Sequence, residues 1–532
     1  MTETSALRAL VALLAVLVVV GVVARRLRVA PSILTVVAGG GLALVPGVPR
    51  FELVPELVLL IVLPPIIYDA GVNMSWREFR ANIRSIGLLA VGCVVFTMCT
   101  VAAVAHFFLG LDWALAFVLG AIVAPPDTLA PIAIARHLGI PRDVLVILEG
   151  EGLANDGTAL VLYRFAVAAV AAGAFSVGEV LATFSLIVTC EPLWGIAVGW
   201  AGLRLRRWLA DPHLEIVISM LMPYAAFWVP EELGGSGVIA TITAGLYVSW
   251  NGPILISAAT RVQGIFFWDL GMYVIEGLVL LYTGLQVRTI VDGLETADVA
   301  QLLSATLIVT AILVLSRFAY VFPTAYVSVW VERAMGHAIA WPPWRGVLLV
   351  AFVGVRGIVS LSAALALPFT THAGAEFPGR ELILVVTFGV IIITLVGQGL
   401  LVPALTVRLG LADRAKQERE VEQEQELAAR QSALDAARRK LETIAGERHI
   451  EADALEFVRG RHDQRARLIP SDLGEGLNVK RLGAALRIEA IEEERRAIRE
   501  LLREGKLTDD ARRRLERELD LEEQVLSARR GH

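Results

Sequence analysis

Charge is scarce in this chain where a water-soluble protein would need it. Only 19% of its 532 residues are Asp, Glu, Lys or Arg, against 56% hydrophobic, and the charges gather after Leu411. That balance excludes a soluble globular domain of this size and marks a polytopic membrane protein. The formal net charge is -5 and no basic face is present, so nucleic-acid binding has no support. Cysteine is nearly absent. Cys93, Cys99 and Cys190 all lie in apolar stretches, which makes them packing residues and excludes a disulfide framework. The first apolar run, Ala6 to Ala24, has only Arg8 before it and Arg25, Arg26 and Arg28 after it. A cleaved signal peptide carries its positive charge in front, so a spanning helix with its N-terminus outside is expected.

What the chain does have is long apolar runs. Stretches of about 17 to 25 apolar residues fall at 6–24, 31–48, 53–70, 85–109, 112–136, 143–171, 177–203, 214–230, 234–250, 262–286, 298–330, 346–368 and 380–408, thirteen in all. With the N-terminus outside, Arg77, Arg80, Arg84, Arg204, Arg206, Arg207, Arg333 and Arg345 fall in inward loops. Outward loops hold Arg50, Arg288, Arg380 and the acidic pair Glu231-Glu232, as the positive-inside rule requires. The membrane part is expected over 1–410, followed over 411–532 by a cytoplasmic helical tail. In that tail Leu427, Leu434 and Leu441 repeat every seven residues, a coiled-coil-like spacing, and Thr508 is placed to cap the last helix.

Two spans are interrupted. In the fifth, Ala124-Pro125-Pro126-Asp127 sets two prolines within the run, and a proline supplies no N–H to the carbonyl four residues earlier. Carbonyls freed in a membrane are tolerated where protein or a watery cavity satisfies them, and they suit a small cation. In the twelfth, Gly354-Val355-Arg356-Gly357 puts a charge between two glycines. Both breaks lie in the second-to-last span of a six-span half, which predicts an inverted repeat about the seventh span.

The ionisable residues inside apolar spans are functional candidates, because a charge at mid-membrane costs at least a few kcal/mol. Asp156, beside the neutral Asn155, and Asp127, beside the proline break, are the leading cation or proton carriers. Pro126 can offer its carbonyl. Asp69, in the proline-loosened third span, is a further path candidate, with Glu276 and Arg317 as path or modulatory residues. Glu151 and Asn155 are spaced i, i+4 and share a helix face. Glu151 is therefore expected to form a structural charge pair with Arg356. Glu191 and Arg164 have no evident partner.

Several of these segments together resemble one family. Glu149-Gly150-Glu151-Gly152-Leu153-Ala154-Asn155-Asp156 is similar to the Glu-Gly-Glu-Ser-Leu-x-Asn-Asp block of the electroneutral sodium/proton antiporters, the group of bacterial NhaP-type proteins and animal sodium/proton exchangers. Leu63 to Asn73, Ala124 to Asp127, Val355 to Leu361 and Gly397 to Leu400 resemble further blocks in the same order. The resemblance implies a homodimer. Scarce Lys beside abundant Arg, Ala and Leu suggests a bacterium of GC-rich genome, so the plasma membrane of a prokaryote is expected. Spans 1–3 and 7–10 would form the interface. Spans 4–6 and 11–13 would form a core that moves to expose the site alternately. It also implies that Asp156 binds cation or proton in competition, with Asp127 and Asn155 holding the site. No cofactor is called for. Two departures stand out: Gly152 replaces the family's serine one turn before Asp156, and Pro126 replaces its threonine.

Because Asn155 is neutral, one proton per sodium or lithium ion is expected, with no net charge moved. A potassium/proton antiporter of the same fold is the runner-up. An intramembrane aspartyl protease would also carry two membrane aspartates, but the chain lacks its Gly-x-Gly-Asp motif, so an enzyme is not expected.

Overall fold

The computed structural model describes residues 3–27, 31–45, 58–127, 140–172, 177–288, 299–337, 340–370, 376–447, 452–467, 476–504 and 506–530. Among them the architecture is helical. The one strand-like feature is an isolated pairing of Thr370 with Glu376. In chain order the membrane helices are α1 (Glu3–Leu27), α2 (Pro31–Ala43), α3 (Leu63–Asn73), α4 (Trp76–Leu109), α5 (Trp113–Val123), α6 (Arg142–Ala172) and α7 (Val177–Leu209). They continue with α8 (Pro212–Glu232), α9 (Val238–Leu255), α10 (Ala258–Leu285), α11 (Val299–Ala334), α12 (Trp344–Phe352), α13 (Ile358–Leu365) and α14 (Arg380–Arg408). Each of the thirteen expected stretches contains helix among its described residues, and the twelfth is split between α12 and α13. Nine of the helices among the described residues are long and apolar enough to cross a bilayer by themselves. Large apolar side chains point away from the protein, among them Phe107 at 72% exposure and Ile254 at 87%, a surface suited to lipid and not to water.

The helices pack in two groups. α4, α5, α6, α11, α12, α13 and α14 pack on one another around Val118, Leu119, Val309, Ala364 and Val386. The second group comprises α1, α2, α3, α7, α8, α9 and α10, with a core that includes Tyr68, Leu203, Met222 and Ala244. Within it, two crossings bring backbone against backbone. A Cβ on Gly284 of α10 would lie 2.2 Å from the Val36 carbonyl oxygen of α2, and one on Gly245 of α9 would lie 2.7 Å from that of Tyr68 in α3. Small residues permit such approaches where lipid gives helices no hydrophobic reason to associate.

Two of the long helices carry a wider, π-helical segment, Leu88–Cys93 in α4 and Ile393–Gln398 in α14. At the first, the Tyr320 hydroxyl donates to the Leu88 carbonyl at 3.1 Å; within the second, the Thr394 hydroxyl donates to the Val390 carbonyl at 2.8 Å and accepts from the Arg356 N–H at 3.0 Å.

Residues Met1–Ala415 form one compact unit and Lys416–His532 a second. The boundary falls inside α15 (Leu411–Glu447), five residues past the expected one. On α15, Leu427, Leu434 and Leu441 are half-buried amid exposed neighbours, as their spacing predicts. After α16 (Ala452–Arg467), the helices α17 (Gly476–Arg503) and α18 (Asp509–Arg530) pack together, with Ile491 and Leu519 buried. Arg487 holds Glu522 at 2.8 and 2.9 Å, and the Thr508 hydroxyl caps α18 by accepting from the Ala511 N–H.

Candidate functional site

The site begins where the prolines stop α5. Ala124 still donates to Gly120 at 2.9 Å, and the regular helix ends there. Arg356 meets the carbonyls that the break exposes. Its Nε donates to Val123 at 2.7 Å and its Nη2 to Ala124 at 3.0 Å, while Nη1 donates to its own neighbour Gly354. The backbone N–H of Arg356 donates to the Thr394 hydroxyl at 3.0 Å. Asp127, the first residue after the prolines with an N–H, donates it to the Val355 carbonyl at 2.7 Å. The two interruptions therefore cross, and each satisfies backbone groups of the other, as irregular backbone in a membrane must.

Gly357 lies at the crossing for a steric reason. A Cβ there would stand 1.6 Å from Asp127 Oδ2, so the carboxylate occupies the space of the missing side chain.

Helix α6 brings the remaining groups. Asn155 is fully buried and its Nδ2 donates to the Pro126 carbonyl at 2.7 Å, which ties α6 to the broken segment. Its Oδ1 has no hydrogen-bond partner among the described residues. Asp156 follows, half-buried, with its carboxylate close enough to Asp127 for the two to repel. Asp127, Pro126, Asn155 and Asp156 thus come together with Arg356. A small cation between two carboxylates would remove their repulsion, and Asn155 Oδ1 is a further oxygen without a partner.

Glu151 is where the expected pairing fails. It lies one turn before Asn155 with no exposure, but its partner is Arg317 of α11 and not Arg356. Nη1 and Nη2 of Arg317 grip Oε1 and Oε2 at 2.5 and 2.7 Å, a bidentate fork. Nε and Nη2 of Arg317 also donate to the Val350 carbonyl at 3.2 and 3.0 Å, near the end of α12. Each arginine thus serves one broken span: Arg356 holds the end of α5 and Arg317 the end of α12. Arg317, expected as a path or modulatory residue, thus has a structural partner in Glu151.

Asp69 and Glu276 lie elsewhere, on α3 and α10 of the second helix group. Asp69 is half-buried and its carboxylate accepts from Asn73 Nδ2 at 3.0 Å; Glu276 is also half-buried. The two residues left open in the sequence do have partners. Glu191 is 3% exposed and accepts from the N–H groups of Ser236, Gly237 and Ala240 at 2.7, 3.2 and 3.4 Å, capping α9. Arg164 donates through Nη1 to the Gly235 carbonyl at 2.7 Å and pairs through Nη2 with Glu231. The available signal was the run Gly234-Gly235-Ser236-Gly237, which opens an apolar helix with no acidic cap of its own.

Comparison with known proteins agrees with this layout. Residues 11–408 match the family model described as sodium/hydrogen exchanger, transmembrane. An uncharacterized Na(+)/H(+) exchanger of Mycobacterium tuberculosis is 33% identical over 526 residues, covering 97% of this chain and 95% of that protein. A sodium, potassium, lithium and rubidium/H(+) antiporter of Bacillus pumilus is 30% identical over 368 residues, 67% of this chain and 54% of that one. The solved structure of the sodium proton antiporter MjNhaP1 from Methanocaldococcus jannaschii superposes with a TM-score of 0.58 at 18% identity, covering 76% of this chain and 99% of that chain.

Proposed function

The chain belongs to the sodium/hydrogen exchanger family, and from that premise we propose that it exchanges a sodium or lithium ion for a proton, with both competing for Asp156. The observation that carries the proposal is the pairing of the Asp156 and Asp127 carboxylates at the crossing of two broken helices, with Asn155 bound to the Pro126 carbonyl. Removing a carboxylate from water disfavours its bare charge, so it holds either a proton or a cation. If only the neutralised, loaded protein changes the side to which the site opens, exchange follows without further machinery. The neutral amide of Asn155 supports one proton per cation and no net charge moved.

The two-group packing supports a division of roles. The group built of α4–α6 and α11–α14 carries the site and moves. The group of α1–α3 and α7–α10 is the scaffold and the dimer contact, in a prokaryotic plasma membrane with the tail on the cytoplasmic side, where exchange serves pH homeostasis. Asp69 and Glu276, on the scaffold, would lie along the approach.

The test is recovery of a quenched pH dye in inverted vesicles on addition of sodium, lithium or potassium. Sodium and lithium are expected to collapse the pH gradient, and Asp156→Asn to abolish the response while the protein stays folded. A sodium response that survives Asp156→Asn would overturn the assignment. Potassium/proton exchange is the second reading. It is favoured by Gly152, which offers no side-chain oxygen one turn before Asp156, and by the broad cation range named for the Bacillus pumilus relative.

A further inference from the structure

Arg164 joins the two helix groups. It sits on α6 two turns beyond Asp156, so it travels with the site, yet its contacts are Glu231 in the last turn of α8 and Gly235 on the turn that leads to α9. Three charged pairs among the described membrane helices each stay within one group. Arg142 with Glu78 and Arg84 with Glu332 lie in the first, and Arg206 with Glu215 in the second.

The turn that receives Arg164 is a built anchor. Glu191 binds the backbone N–H groups of Ser236, Gly237 and Ala240 as well as the Ser236 hydroxyl at 3.2 Å. Gly237 takes a positive φ of 66°, with the Phe227 carbonyl oxygen 2.4 Å from where a Cβ would stand. A turn fixed from behind in this way presents the Gly235 carbonyl and the Glu231 carboxylate at a set height along α6. Arg164 takes both with one guanidinium, which a lysine cannot reproduce.

We infer that Arg164 is a positioning residue of the exchange cycle: it pins the helix that carries Asp156 to the α8–α9 turn, and this tie breaks each time the site changes sides. The inference rests on the moving-core reading above. α6 cannot slide against α9 while the guanidinium holds both oxygens. The ion pair is partly exposed, with the Arg164 and Glu231 side chains at 39% and 24%. A tie of this kind biases the balance between two orientations without locking it.

The experiment uses the full-length protein in proteoliposomes, with Cys99 and Cys190 replaced by Ser and Cys93 by Ala. Arg164→Cys with Glu231→Cys is joined by a short bis-methanethiosulfonate. Joining is expected to abolish sodium-driven proton flux and reduction to restore it; joined protein that exchanges at the unjoined rate would overturn the inference. Arg164→Gln is expected to change the ratio of the sodium KM values measured from the two sides of the membrane by about two- to fivefold, because it alters the balance of orientations and not the ligands. An unchanged ratio counts against the tie. The parent's Asp156→Asn variant separates the two claims. If exchange survives in that variant, the site assignment falls. If exchange is lost there but survives joining, only the role of Arg164 falls.

Discussion

The two buried arginines divide their work in a way that side-chain chemistry alone explains. Each guanidinium has five donors, and each finds backbone carbonyls that a broken helix has left open. Arg317 adds a carboxylate, Arg356 does not, and so only Arg317 forms a charge pair. Breaking a buried pair leaves an uncompensated charge at a cost of about 3–5 kcal/mol. Glu151→Gln is therefore expected to lower the melting temperature in detergent markedly. Glu151→Leu with Arg317→Met should recover part of that loss, though not all, since Val350 still lacks its donor. Melting of the two variants by light scattering or size-exclusion profile checks the order. The identity of the partner was not legible in the sequence. Residue spacing put Glu151 and Asn155 on one face of α6, but it could not rank two buried arginines on different helices. Asn155 and Asp156 were legible, because a polar pair in an apolar run needs no tertiary knowledge to stand out.

At the level of the element, the prolines and glycines were the most informative letters. Pro125 and Pro126 announced where α5 ends, and Gly354 with Gly357 announced the split between α12 and α13. What they could not announce was that the breaks cross, since that depends on a hydrogen bond between Asp127 and Val355 from opposite halves of the chain. Nor did the pattern show which glycines are contacts. Gly284 is one: its missing Cβ leaves room for the Val36 carbonyl oxygen at 2.2 Å and Gly39 Cα at 2.7 Å, both rigid backbone. Gly284→Val is expected to cost at least the roughly 1–3 kcal/mol typical of overpacking and to reduce the yield of folded protein. Gly41, on α2 with nothing near its Cβ position, provides the control, and Gly41→Ala should leave yield unchanged. Fluorescence-detected size-exclusion profiles of the two variants distinguish them.

For the whole molecule the decisive quantity is the charge carried per cycle. The proposed exchange at Asp156 beside a neutral Asn155 carries one cation against one proton, so flux in proteoliposomes is expected not to respond to an imposed membrane voltage. Asn155→Asp would add a second ionisable group beside the first. That variant, where it folds, is expected to make flux voltage-dependent, as proton uptake under an imposed potassium diffusion potential would show. Hydropathy and the order of blocks gave the helical layout, whereas the two-group packing emerged only from contacts between helices far apart in the chain.

The crossing of the broken spans also bears on how the protein is made. Val123 and its donor Arg356 are separated by 233 residues. When α5 has entered the membrane, the ribosome has yet to synthesise the arginine that will satisfy it. The carbonyls of Val123 and Ala124 and the N–H of Asp127 must spend that interval beside water, the insertion machinery or one another, because hydrocarbon offers them nothing. Biogenesis is thus bound to leave α5 provisionally placed until the second half of the chain arrives to complete it.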